Sequence, residues 1–111
     1  MTDEIPGTTL VGFSMFDLTI FYTFTVKGQD TIENYHQYKY IFTPDIKLDD
    51  NGYEMGITLD EIVKQIKKSI PKKAALGTVT VINDAGLNGI IYRWGNSGNY
   101  WLEYGKTRGY A

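Results

Sequence analysis

Leu18-Thr19-Ile20-Phe21-Tyr22-Thr23-Phe24-Thr25-Val26 alternates without a slip. Leu18, Ile20, Tyr22, Phe24 and Val26 share one parity, and Thr19, Phe21, Thr23 and Thr25 share the other. A period of two in β-branched and aromatic residues marks a half-buried strand, because successive side chains of a pleated chain leave on opposite faces. Lys27-Gly28-Gln29-Asp30 supplies turn chemistry. Residues 33–43 then alternate again, with Tyr38, Tyr40 and Phe42 facing one way and Gln37, Lys39 and Ile41 the other. The stretch predicts an antiparallel hairpin.

Downstream, Pro44-Asp45 ends the second strand and Asp49-Asp50-Asn51-Gly52 signals a turn. Thr58-Leu59-Asp60-Glu61 has the S/T-x-x-E spacing of a capping box. Leu59, Ile62, Val63, Ile66 and Ile70 follow at helical spacing, and Pro71 stops the helix. Thr78–Ile82, Ile90–Trp94 and Tyr100–Tyr104 then read as three strands, separated by Asn83–Gly89 and by the Gly95–Asn99 loop. Upstream, residues 1–7 form an acidic lead-in ending at Pro6-Gly7. Leu10, Val11, Phe13 and Phe16 suggest an extended segment weakened by Gly12 and Ser14.

The expected fold is α+β, in the order ββαβββ with room for one additional strand near the N-terminus. Its antiparallel sheet has about five strands, and one amphipathic helix packs on one face. Residues 1–111 read as a single domain, with 1–7 and 105–111 as flexible or extended tails.

Composition narrows the function classes. With 42% hydrophobic and 14% aromatic residues, the chain has enough apolar mass for a core, which argues against disorder. The absence of cysteine removes disulfides, thiolate metal sites and cysteine nucleophiles together. No apolar run approaches the roughly 18 residues of a membrane span, so no membrane partner is expected. The acidic start Met1-Thr2-Asp3-Glu4 does not resemble a secretion signal. A cytoplasmic location is the expectation. Charge is uneven, since residues 1–57 carry nine acids against three lysines, while residues 58–111 carry eight bases against four acids.

The catalytic patterns tested against the chain fail. Ser97 lies in a glycine-bearing loop that superficially suggests a protease serine, but His36 is the only histidine and sits within a predicted strand. An EF-hand register with Gly52 at its sixth position would place Lys47 first and Thr58 last, where acidic ligands are required. One histidine and no cysteine offer nothing for zinc or a redox metal. Gly95 and Gly98 do not lead into a helix, so no phosphate cradle forms there. No catalytic residue, metal or cofactor is assigned.

What remains is surface chemistry. Lys64, Lys67, Lys68, Lys72 and Lys73 form a basic surface opposite the helix's apolar stripe and near its C-terminus, where the macrodipole favours cations. Such a face is ordinarily solvated, with nucleic acid or an acidic protein as the functional alternatives. Asp45, Asp49, Asp50 and Glu54 form a candidate acidic surface. The final hairpin holds both tryptophans. Parity assigns Ile90, Tyr92, Trp94, Tyr100, Leu102 and Tyr104 to closing the sheet, and turns Arg93 and Trp101 away from the core. Arg93, Asn96, Ser97, Asn99, Trp101, Arg108 and Tyr110 are therefore the candidate partner-binding residues, a composition typical of protein-binding surfaces.

Tyr92-Arg93-Trp94-Gly95-Asn96 and the run from Trp101 to Ala111 resemble the C-termini of small proteins from bacterial phages and mobile elements, over about the last 20 residues. The resemblance implies a setting rather than residue roles: small, acidic, cysteine-free phage proteins often block a host protein, as anti-CRISPR and other anti-defence inhibitors do. The expected function is a non-enzymatic protein-binding inhibitor or adaptor. It would act in the host cytoplasm on a host protein such as a CRISPR effector, itself a nucleic-acid-binding protein. The alternative is a small nucleic-acid-binding module using the lysine face and exposed aromatics. Tyrosine-rich sheet edges also make a homo-oligomer plausible.

Overall fold

The computed structural model describes residues 2–14, 17–26, 36–84 and 89–103. The alternating stretch is the centre of the fold: β3 (Leu18–Val26) pairs antiparallel with β4 (His36–Phe42) on one side and with β6 (Ala74–Asn83) on the other. β7 (Ile90–Trp94) pairs with β6, and β8 (Tyr100–Glu103) pairs with β7. These are the five strands anticipated from sequence. A sixth, β1 (Thr2–Glu4), lies outside β8, giving the order β1-β8-β7-β6-β3-β4. Three polar residues of the acidic lead-in thus become an edge strand, with Asp3 opposite Leu102 and Glu4 opposite Trp101. The segment read as an additional strand near the N-terminus contains β2 (Leu10–Gly12). It pairs with β5 (Ile57–Thr58) in a separate two-stranded sheet, not with β3.

The helix α1 (Leu59–Ser69) begins as its capping box predicts. The Glu61 amide donates to Thr58 Oγ1 at 3.3 Å, and the Thr58 amide donates to Glu61 Oε1 at 3.1 Å. Two otherwise orphaned amides are satisfied reciprocally. Ile70, in extended conformation before Pro71, ends the helix. Leu59, Ile62, Val63 and Ile66 are buried against the sheet, in one core with Ile20, Tyr22, Val79, Val81, Tyr92 and Trp94. On β4 the aromatic face continues past the reach of the helix. Tyr40 stacks on Phe24 with centroids 5.6 Å apart and stays half-open to solvent at 45% exposure.

β6 is longer than the sequence pattern suggests, because a bulge breaks its period. Tyr22 faces Val79 but Phe24 faces Leu76, so Gly77 and Thr78 together oppose Thr23. The extra residue resets parity. Leu76 before it, and Val79 and Val81 after it, all turn to the helix side. The Thr78 amide donates to Thr23 Oγ1 at 3.0 Å, satisfying an amide the ladder leaves out. A Cβ on Gly77 would lie 2.4 Å from that same oxygen, so the bulge requires glycine.

Parity in the last hairpin holds for Tyr92 and Trp94, which are buried, and for Tyr100 and Leu102, which pack against the core. It fails for Ile90, which is 40% exposed: it begins β7 at the end of the sheet, opposite Asn83 on β6. The turn Gly95–Gly98 closes with the Gly98 amide donating to the Gly95 carbonyl, and Gly98 takes φ +89°, a left-handed conformation suited to glycine. The expected turn at 27–30, residues 85–88 of the turn expected over 83–89, the start of the second strand at 33–35, Phe16, Tyr104 and the 105–111 tail lie outside the described residues, and Asn83 itself ends β6.

Candidate binding surface on the open face of the sheet

The described residues contain one helix, and its buried residues pack on one face of the six-stranded sheet. The opposite face carries the other parity. One row of register partners crosses all six strands there: Ile41, Phe21, Thr80, Arg93, Trp101 and Glu4. Five spacings of about 4.8 Å make this row roughly 24 Å wide, close to the side of the ~800 Å² patch that each partner of a stable complex contributes. Ile41 is 75% exposed, and Phe21, Thr80, Arg93 and Trp101 are half-buried. Toward one end of this face Ile82 is buried beside half-buried Ile91.

Near its middle the bulge shapes a shallow concavity of about 230 Å³. Phe21, Thr23, Thr78, Thr80 and Arg93 line it, with the β3 backbone at Tyr22 between them. Arg93 Nη1 donates to Thr80 Oγ1 at 2.8 Å, which holds the guanidinium against the neighbouring strand. Trp101, the register partner of Arg93, lies with its ring edge against Gly95, where a Cβ would come within 3.0 Å of Trp101 Cζ3. The hairpin loop thus leaves room for the indole by presenting glycine.

Of the residues singled out from sequence, Arg93 and Trp101 are adjacent on this open face, while Asn96, Ser97 and Asn99 are exposed at the hairpin tip. Arg108 and Tyr110 lie outside the described residues. Lys64, Lys67, Lys68, Lys72 and Lys73 are all exposed, on the helix and the turn that follows it. They lie on the helix side, so the basic surface and the open-face aromatics do not form one continuous site. Lys67 also has an intramolecular role, its Nζ lying 5.1 Å from the centroid of the Trp94 ring.

Asp45, Asp49 and Asp50 are exposed and Glu54 is half-buried, and among the described residues no group of three acids or histidines could hold a metal ion. Asp49 acts locally, its Oδ1 accepting from the amides of Asn51 and Tyr53 and so closing the turn. The Asp45 backbone exchanges two hydrogen bonds with the Gln65 side chain, which docks this segment on the helix. No helix among the described residues is long and apolar enough to cross a membrane.

Sequence reasoning missed Phe21, Thr23, Thr78 and Thr80 as surface residues. Their only signal was parity: each occupies the face opposite the core residues of its own strand. Comparison with protein families, with curated proteins and with solved structures found no match. The reading of this face therefore rests on its own geometry.

Proposed function

We propose that this chain is a non-enzymatic protein-binding inhibitor or adaptor that docks through the open face of its sheet. The observation that supports this is the row Ile41–Phe21–Thr80–Arg93–Trp101, which combines aliphatic, aromatic and arginine side chains on the face away from the helix. Aromatic residues and arginine dominate binding energy at protein interfaces because they bury large area at low entropic cost and pair charge with planarity. The phage-like ending adds the setting of a mobile-element protein acting on a host protein such as a CRISPR effector. The alternative, nucleic-acid binding through lysines and aromatics together, is less favoured because Phe21 and Trp101 lie on the side of the sheet away from the lysines.

The test is capture of partners from nuclease-treated bacterial lysate with the parent chain, Ile41→Asp, Arg93→Ala and the paired Lys64→Glu/Lys68→Glu variant. Ile41 is 75% exposed, so its substitution is expected to leave the fold intact. The open-face variants are expected to lose the recovered protein and the lysine variant to keep it. Loss confined to the lysine variant, or recovery that depends on leaving the nuclease out, would replace this reading with the alternative.

A further inference from the structure

Residues 47–55 fold into a short ribbon that leads into β5. Leu48 stands opposite Glu54, and the Asp49 amide donates to the Tyr53 carbonyl and the Met55 amide to the Lys47 carbonyl, both at 2.8 Å. Asp49 Oδ1 closes the turn by accepting from the amides of Asn51 and Tyr53. Apart from half-buried Glu54, every residue of the ribbon is exposed. Its apolar side chains stand on both sides, Leu48 on one and Tyr53 and Met55 on the other, because residues of an extended pair alternate. At its base Gly56 takes φ +87°, and a Cβ there would lie 2.8 Å from Leu10 Cδ1 and 3.3 Å from Phe13 Cδ1. Both of those side chains are exposed as well. Phe13 and Tyr53, 60% and 71% open, alone leave on the order of 250 Å² of aromatic surface to solvent. With Leu10, Leu48 and Met55, the ribbon and its base reach the roughly 300–600 Å² of a functional apolar patch.

The charge on the ribbon is one-sided. Asp49, Asp50 and Glu54 outnumber Lys47, and none of the four forms an ion pair among the described residues. Glu54 Oε2 is buried and has no hydrogen-bond partner. A carboxylate oxygen shielded from water without a partner is costly, and the same shielding strengthens its attraction for an approaching cation. We infer that this ribbon, with Leu10 and Phe13 at its base, is a docking surface for a basic amphipathic segment of a partner protein. The apolar row of that segment covers the exposed side chains, and its lysines or arginines meet the three unmatched carboxylates. The hydrogen bonds that tie the ribbon hold it ready, so little ordering cost is left for binding. A nucleic acid is repelled by the same carboxylates. A second copy of this chain fits less well: its helix displays lysines, but the apolar stripe of that helix is buried in its own core. The surface shares no residue with the open-face row, so it stands whether or not that face docks a partner.

Amide-resolved NMR titration of the full chain tests it with three synthetic peptides of about 18 residues, long enough for five helical turns. The first is built of leucine and lysine with the leucines at helical spacing; the second has the same composition shuffled; the third has glutamate for lysine. The ordered leucine–lysine peptide is expected to bind in the micromolar range and to shift the amides of residues 10–13 and 47–56. The shuffled and the glutamate peptides should each be at least tenfold weaker, and raising salt from roughly 50 to 300 mM should weaken the ordered peptide several-fold. The paired Leu48→Ser/Tyr53→Ser variant should lose about tenfold in affinity while its β3 and β6 amides stay in place, which reports that it is folded. Ile41→Asp should bind the peptide as the parent does, which separates this surface from the open face. Equal binding of the ordered and shuffled peptides, equal binding of the lysine and glutamate peptides, or undiminished binding by the paired variant overturns the inference. Light scattering that shows a dimer dissolved by the paired variant overturns it too, in favour of a second copy.

Discussion

The Tyr100 hydroxyl donates to Asp60 Oδ1 at 2.5 Å, joining the first residue of β8 to the first turn of the helix. The loop after β1 meets them at the same point. The Asp60 amide donates to the Gly7 carbonyl at 2.7 Å, and a Cβ on Gly7 would come within 2.9 Å of both Asp60 Oδ1 and Tyr100 Cε2. Three segments far apart in sequence converge on one half-buried carboxylate.

Tyr100→Phe should therefore lower stability by about 1.5 kcal/mol, the loss of a hydrogen bond to a charged acceptor. The measurement is urea unfolding near neutral pH. A midpoint equal to that of the parent chain would show that water replaces the phenol at no cost.

The same pair makes a prediction in alkali. Burial, the hydrogen bond to Asp60 and its negative charge all hold the Tyr100 phenol well above its ordinary pKa. Its contribution is fully present below the unfolded tyrosine pKa near 10, and is lost as pH rises from there toward the higher folded value. The stability gap between the parent and Tyr100→Phe should narrow above pH ~10. Tyr92, raised by its own burial, titrates in both proteins and cancels from the difference. A gap that widens with pH would reverse the sign of the argument.

At the helix start, Thr58→Ala removes the hydroxyl that accepts from the Glu61 amide and should cost about 1 kcal/mol. Thr58→Ser keeps the acceptor and should stay within about 0.5 kcal/mol of the parent. Thermal or urea unfolding of the pair distinguishes capping from simple loss of bulk.

The bulge predicts a coupling. Gly77→Ala alone drives a methyl into Thr23 Oγ1 and should cost on the order of 2 kcal/mol. In a Thr23→Ala background that oxygen is gone, and the next atom, the Thr23 carbonyl oxygen, is 3.2 Å away. The second substitution should then cost less than the first, a favourable interaction term in the double-mutant cycle. Additive costs would mean that the glycine is needed for its backbone rather than for the space it leaves.

Much of this architecture is legible in residue patterns. Strict alternation in β3 places Ile20, Tyr22 and Phe24 in the core, and the Thr58–Glu61 spacing marks the helix start at the observed residue. What escapes is what local periodicity does not encode. The β6 pattern breaks at Gly77-Thr78, so its first half is invisible to an alternation test although Leu76 is buried. Thr2–Glu4 has no apolar residue to announce a strand, and only the exposed edge of β8 recruits it. The concavity unites Thr23 with Thr78 and Thr80 across 55 residues or more, and no linear motif links them. Lys67 has the sequence signature of a solvated lysine, yet its ammonium settles over Trp94.

The pairing of β1 with β8 also orders events in time. Among the described elements β1 is the earliest to leave the ribosome and β8 the last, with about a hundred residues of synthesis between them, so this edge forms only after β8 has emerged. Until then the nascent chain has no β8 to pair with, and afterwards β8 exposes a bare rim of amides and carbonyls until β1 docks on it. β1 seals that rim, and a bulky group fused just ahead of Thr2 would act on this edge before any other part of the sheet.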